Sequence, residues 1–106
     1  MSNIIKVPFF LICFISIGFA AQSSGQKIFE QYCWGCHHQT ATAFGPSFED
    51  IANKRSLGEI EGHIIAPKAT YKQLGYKRSV MPSFKDKLST EELNTIANYI
   101  LQYRSK

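Results

Sequence analysis

The stretch Cys33-Trp34-Gly35-Cys36-His37 decides how the rest of this chain of 106 residues is interpreted. Two cysteines separated by two residues and followed at once by histidine form the attachment motif for haem c. Thiols on one turn of backbone reach the two vinyl groups of a single porphyrin, and the adjacent histidine is then carried beneath the iron. The motif therefore predicts one covalent haem c per chain, attached through Cys33 and Cys36 and ligated by His37.

Three other kinds of site would use the same two cysteines. A zinc site needs four ligands, usually as two spaced pairs, whereas His37 and His38 are adjacent and no second pair follows. A disulfide oxidoreductase needs a βαβ context, which the helical pattern of this chain does not provide. A purely structural disulfide would leave His37 unexplained. Haem attachment accounts for all three motif residues.

Residues 1–20 predict a secretory signal peptide. Lys6 precedes an apolar run, and Gly18 and Ala20 supply small side chains at the two positions that signal peptidase requires. Cleavage after Ala20 would leave residues 21–106 as one mature mono-haem domain. The predicted location is the periplasm.

Two alternatives would keep the chain at a membrane. Lipidation of Cys13 is disfavoured because Leu11 and Ile12 are large where lipoprotein signals have small residues. An uncleaved anchor is disfavoured because the apolar run is shorter than the roughly 20 residues that a spanning helix needs. We therefore expect no membrane span after cleavage.

Cleavage also simplifies the composition. Cys33 and Cys36 become the only thiols, and Met81 becomes the only methionine. Loss of Lys6 from the 12 basic residues leaves 11 against 8 acidic ones, a net charge of +3. Export and this modest charge argue against nucleic acid as a partner. A domain this small commonly needs a cofactor to complete its core.

Helical patterns lie on both sides of the motif, and no strand pattern is found, so the predicted fold class is all-α. Before the motif, Gly25, Ile28, Phe29 and Tyr32 follow helical spacing, with Ser24 as the predicted N-cap. After it, short helices are predicted from about Ser47 and over Leu57 to Ile64, the latter ended by Pro67. Residues 67–87 are predicted to be irregular, and a capping box of Ser89 and Glu92 opens a last helix that runs to about Arg104.

With these elements assigned, the mature chain resembles the class I cytochrome c family over nearly all of its length. The segment GQKIFEQYCWGCH resembles the family's first helix, and STEELNTIANYILQY resembles its closing helix. The resemblance implies three to five helices wrapped around one haem, with the N- and C-terminal helices crossing. Gly25 and Phe29 would then pack against Ile96, Tyr99 and Ile100.

The same resemblance implies further residues of the haem site. Gly45 and Pro46 match the family's Gly-Pro pair, in which the proline carbonyl accepts a hydrogen bond from the ligand histidine and so orients its ring. VMPSF resembles the family's distal Met-Pro, which makes Met81 the second axial ligand. The short separation of His37 and Met81 resembles the small bacterial members.

Other residues are weighed against these roles. Met81 would be an ordinary gap-filling core residue if it were not a ligand, and His63 is the next candidate for the sixth position. His38 neighbours the proximal ligand and is expected at the surface, while Trp34 is expected to cover the haem edge. Larger family members have a mid-chain tryptophan that binds a propionate, which this chain lacks. Its propionate partners are sought among Arg55, Tyr71 and Arg78.

The predicted function is that of an exported electron carrier, not an enzyme. With both axial positions filled, the iron changes oxidation state without binding a substrate. One alternative is a cytochrome subunit of a periplasmic oxidoreductase complex, for example one oxidising sulfur compounds. Another is a module in which a small gas displaces Met81.

Basic residues flank the predicted Met81 loop and are opposed there only by Asp86. A solvated face is the ordinary interpretation of such a run, but its place beside the expected haem edge predicts docking to redox partners with an acidic surface. The protein itself is expected to be a monomer. The basic residues are Lys68, Lys72, Lys77, Arg78, Lys85 and Lys87.

Overall fold

The computed structural model describes residues 23–105, and the predicted signal peptide therefore lies outside the described residues. The described chain contains five helices and no strand, which confirms the all-α prediction. The helices are α1 (Ser24–Ile28), which continues directly into a π-helical turn (Phe29–Cys33), α2 (Phe48–Lys54), α3 (Leu57–Ile65), α4 (Pro67–Thr70) and α5 (Thr90–Leu101). None of the helices in this part of the chain is long and apolar enough to cross a membrane.

Serine side chains begin four of the helices. The first N-cap is Ser23, whose hydroxyl accepts from the Gln26 amide, so the prediction of Ser24 was one residue late. The predicted capping box of Ser89 and Glu92 is present, and Ser47 caps α2 as expected. Each such cap satisfies amides that the helix leaves unpaired and is worth about 1 kcal/mol.

The segment around Pro67 differs from its prediction in one respect. Helix α3 ends at Ile65, as the proline leads one to expect. Pro67 then begins α4, because its fixed backbone angle suits the first position of a helix and its missing amide hydrogen is not needed there. The stretch predicted to be irregular therefore opens with one helical turn.

The closing helix is shorter than predicted. It ends at Leu101, and Arg104 lies beyond it. The Arg104 guanidinium donates to the carbonyls of Ala52, at 2.8 Å, and Arg55, at 3.1 Å. These carbonyls lie at the C-terminal end of α2, where a helix leaves its acceptors unpaired. Arg104 thus caps the C-terminal end of α2, some 50 residues earlier in sequence, and does not extend α5.

The core forms where α1 crosses α5, as the resemblance implied. Tyr99 packs directly on Gly25, where there is no space for a side chain. Phe29 is 1% exposed and packs its ring against Phe48, with centroids 5.2 Å apart. Ile96 is fully buried in the same cluster. These contacts hold the two terminal helices together and fix the start of the attachment motif against them.

Candidate haem-binding site

The attachment motif begins inside the π-helical turn that ends α1. The Trp34 amide donates to the carbonyl of Phe29 at 2.9 Å, five residues back, which gives a wider turn than an α-helix has. The amides of Cys36 and His37 then both donate to the carbonyl of Cys33, at 3.1 and 2.9 Å. The backbone is folded tightly around Cys33, so that both cysteines and the histidine line one cavity.

This cavity has a volume of about 310 Å³, within the range usual for sites that bind small molecules and cofactors. Its wall includes the residues predicted to attach, ligate and orient the haem, namely Cys33, Cys36, His37, Met81 and Pro46. Of the candidate propionate partners, Arg55 and Arg78 line it and Tyr71 does not. Much of the remaining wall is apolar or aromatic, from Tyr32, Phe48, Ile51, Ile60, Ile64, Phe84 and Ile100. A second, wide-open depression beside Glu61 and the start of α5 has no cysteine, histidine or methionine in its lining.

The His37 ring is fixed by two neighbours. Its Nδ1–H donates to the carbonyl of Pro46 at 2.7 Å. Gly45 lies so close beneath the ring that an added Cβ would be 2.6 Å from Cε1. With hydrogen on Nδ1, the lone pair is on Nε2, which is the arrangement a metal-binding imidazole requires.

Met81 lies at the end of a loop that is anchored just beyond it. The Phe84 amide donates to the carbonyl of Ile64 at 3.0 Å, and the Ser83 hydroxyl donates to the carbonyl of Ile65. Both acceptors belong to the last turn of α3, which needs partners for its carbonyls. Met81 itself is half-buried and packs against the core cluster. The methionine is thereby presented to the cavity from a fixed point of the fold.

The surroundings of the two cysteines bear on the disulfide oxidoreductase and zinc-site interpretations of the motif. Burial raises the pKa of the Cys33 thiol to about 11. A redox-active Cys-x-x-Cys pair has the opposite property, a lowered pKa that favours the thiolate. Among residues 23–105, no group of three or more His, Cys, Asp or Glu side chains is arranged to hold a metal ion. Neither the oxidoreductase nor the zinc interpretation finds support in these residues.

Two buried polar atoms of the cavity-lining residues have no hydrogen-bond partner within the protein. They are Nε of Arg55 and Oγ of Ser79. A buried donor left unpaired costs about 1–3 kcal/mol. A largely apolar cavity with cysteines, a histidine and buried donors on its wall fits a haem, which has an apolar ring and two propionates.

The other histidines differ in their surroundings. His38 is exposed, as expected. His63 is half-buried on the cavity wall, and its Nδ1 is 2.7 Å from Oγ1 of Thr70. Because that hydroxyl already donates to the Ala66 carbonyl at 2.9 Å, the His63 Nδ1–H is the donor of this pair. Burial, together with the positive charge of Arg55, lowers the pKa of His63.

The exposed hydrophobic residues of the cavity wall were not predicted from the sequence. Trp34 is 65% exposed and does not line the cavity, so it does not cover the site as predicted. Phe44 and Val80 are also strongly exposed, at 74% and 65%, and both do line it. Both residues follow the attachment motif in sequence, and neither gave a signal, because each lies in a loop without a periodic pattern.

A helical shell that presents Cys-x-x-Cys-His and a methionine to one largely apolar cavity defines the class of c-type cytochromes. The model of the family described as cytochrome C oxidase, cbb3-type, subunit III matches residues 20–100. The chain is 32% identical over 99 residues to a cytochrome c6 of Pyropia yezoensis, covering 92% of this chain and 86% of the relative. It is 27% identical over 100 residues to a cytochrome c6 of Nostoc sp., with coverage of 92% and 86%.

A third relative, a cytochrome c6 of Gracilaria tenuistipitata, is 29% identical over 102 residues and is covered to 88%. No solved structure matches the chain. The chain belongs to the class I c-type cytochrome family. Its cofactor is therefore covalently bound haem c.

Proposed function

We propose that the chain is an exported one-electron carrier whose haem is attached to Cys33 and Cys36 and ligated by His37 and Met81. The observation that carries this proposal is the convergence of all four side chains on one largely apolar cavity. The haem supplies an iron that is stable in both the ferrous and the ferric state. The chain supplies the ligands, their orientation and a dry environment.

His37 and Pro46 together set the strength of the proximal ligand. The carbonyl of Pro46 accepts the Nδ1 hydrogen at 2.7 Å, which leaves Nε2 as the ligating atom and makes it more basic. Met81 as the second ligand would raise the reduction potential relative to a second histidine. This pair of ligands suits a carrier at the oxidising end of an electron-transfer chain.

The residues around the cavity support carriage of electrons over catalysis. If His37 and Met81 both bound the iron, no coordination position would be left for a substrate. The alignments with two relatives named cytochrome c6 cover most of this chain and most of each relative. This favours a free carrier over the alternative of a subunit in a periplasmic oxidoreductase complex. Copurification with a larger enzyme would reverse that preference.

Export and docking are further parts of the proposal. Residues 1–20 would be removed to give a periplasmic monomer of residues 21–106. The six basic residues that flank the Met81 loop all lie in the described part of the chain, and all six are exposed. Exposed Phe44 and Val80 on the cavity wall would give the contact an apolar centre. An acidic partner surface would complement this arrangement.

The direct test is to purify the exported protein and titrate it electrochemically. The expected result is one haem per chain, a single one-electron wave, and haem that stays on the polypeptide after acid-acetone extraction. Cys33→Ala and Cys36→Ala should each disturb attachment, with His38→Ala as a matched control next to the motif. Haem that is extracted from the wild-type protein, or a protein without haem, would refute the proposal.

A further inference from the structure

His63 is a titratable side chain of the cavity wall that has no part in the haem attachment and ligation proposed above. It lies on α3 and is half-buried. Its Nδ1–H donates to Oγ1 of Thr70 at 2.7 Å, because that hydroxyl uses its own hydrogen on the carbonyl of Ala66. Nε2 makes no hydrogen bond within the described part of the chain. The fold therefore fixes one tautomer and leaves Nε2 as the atom that accepts a proton.

The surroundings of His63 favour its neutral form. Burial lowers its pKa most, and the charges of Arg55 and His37 lower it further. Tyr76 lies between His63 and Arg55, with its ring centre 5.7 Å from that of His63 and 5.3 Å from the guanidinium carbon. At neutral pH the imidazole is therefore uncharged, and a fall in the positive charge around it would favour uptake of a proton.

The other charged groups that face His63 are more exposed to water. Glu59, one turn earlier on α3, and Arg78, in the Met81 loop, line the same cavity, but both are exposed, so solvent screens their charges. The Glu59 carboxylate also accepts from the Ser56 amide at 2.9 Å, which holds it at the start of the helix. Thr70, the contact from α4, carries no charge. The charge on the His37 side of the cavity is thus the one whose change His63 should detect.

His37 connects this histidine to the redox chemistry. Both residues line one cavity, and a charge on His37 acts on His63. We propose, building on the haem site proposed above, that His63 takes up a proton at Nε2 when the iron bound to His37 is reduced. One electron from the redox partner and a fraction of a proton from water enter together, and both leave on oxidation. The protein thus couples electron transfer to proton transfer.

The direction of this coupling follows from the charges. Reduction removes one positive charge from the iron, so the pKa of His63 should be higher in the ferrous than in the ferric protein. A unit charge about 10 Å away through an effective dielectric constant of about 20 changes a pKa by about one unit. Between the two pKa values the reduction potential should fall as pH rises, and it should be constant on either side. Because the surroundings lower the pKa, this window lies on the acidic side of neutrality.

The test measures the ionisation of His63 in the holoprotein. Nitrogen-15 NMR of labelled histidines gives the pKa and tautomer of His38 and His63 in both oxidation states, and potentiometry gives the potential from acid to alkaline pH. We expect the pKa of His63 to be higher in the ferrous state by about one unit. His63→Asn keeps a donor for Thr70 but takes up no proton, so the slope of potential against pH should disappear from the window.

His38→Asn is the matched control, because it removes an exposed histidine next to the attachment motif and should leave the slope in place. If His63→Asn does not assemble, Thr70→Val and Thr70→Ser decide the question. Without an acceptor for Nδ1–H the imidazolium is less stable, so the window should move to lower pH in Thr70→Val and stay in Thr70→Ser.

Three results would overturn the assignment. They are an equal pKa of His63 in the two oxidation states, a slope that survives in His63→Asn because another group such as a propionate causes it, and an unmoved window in Thr70→Val. Failure of the wild-type chain to attach haem would instead refute the proposed function.

Discussion

A Cβ atom added to Gly25 would lie 2.5 Å from Cβ of Tyr99. That distance is shorter than any contact between carbon atoms that a packed core tolerates, and Tyr99 is itself buried on α5. The two terminal helices therefore cross at a point where only glycine fits. Their closeness is what brings the ring of Phe29 against that of Tyr99, with centroids 6.1 Å apart.

Gly25→Ala should destabilise the holoprotein by about 1–3 kcal/mol, because α1 and α5 must move apart. Chemical unfolding followed by the haem absorbance measures the change. Gly62→Ala is the control, since nothing lies within 4 Å of its Cβ position and alanine is the better helix former there. Equal stabilities for Gly25→Ala and the wild type would contradict the crossing.

Met81→Ala should keep the haem attached but remove the sulfur ligand. We expect the sulfur-to-iron charge-transfer band to disappear, the reduction potential to fall, and the iron to bind added imidazole or cyanide readily. Absorbance spectra and potentiometry of the purified variant measure these effects. Were the spectrum unchanged, another residue would be the sixth ligand, and His63, which lines the same cavity, would be tested next.

Gly45 and Pro46 should respond differently to the same substitution. Pro46→Ala retains the carbonyl that accepts from His37, so we expect a modest loss of stability and a small change in potential. Gly45→Ala places a Cβ 2.6 Å from Cε1 of His37 and should disturb the ring much more. The potentials and unfolding free energies of the two variants give the comparison. An effect of Pro46→Ala as large as that of Gly45→Ala would show that the proline ring matters more than its carbonyl.

Reversing Lys72, Lys77 and Lys85 to Glu should slow electron transfer to an acidic partner by about tenfold or more at low ionic strength. Several like charges near one edge raise the rate of encounter, and salt screens them over about 8 Å at physiological strength. Stopped-flow kinetics against salt concentration measure both effects, with the haem spectrum as the control for folding. If rate and salt dependence both survive, the lysines form a solvated face and docking uses apolar surface such as Phe44.

Signals that lie within a few residues of one another were readable from the sequence. The attachment motif, the capping box of Ser89 and Glu92 and the helical stripe through Phe29 each depend on neighbours along the chain. The resemblance supplied the longer-range pairing of Gly25 with Tyr99, which periodicity alone does not specify. These features sufficed to give the helical class and the list of nominated site residues.

Features that depend on distant residues were missed or misjudged. The length of the last helix was overestimated because Arg104 is recruited by carbonyls of Ala52 and Arg55, which no local pattern reveals. Ser79 was not predicted as a site residue, because its buried hydroxyl becomes part of the cavity wall only once α2 and the Met81 loop lie around one cavity. Tyr71 was named as a candidate propionate partner, but it does not line the cavity, and its ring lies 5.9 Å from Nζ of Lys72.

The π-helical turn from Phe29 to Cys33 determines how the attachment motif is rotated about the helix axis relative to α1. Residues before it pack on α5, and residues after it face the cavity. Removing one residue from this turn would rotate everything that follows by about 100° about the helix axis, since each residue of a helix advances by that angle. The cysteines would then be turned away while Phe29 stayed in the core. A change in the length of this segment would thus be harmful even at a position where a substitution should be tolerated, such as the exposed Gln31.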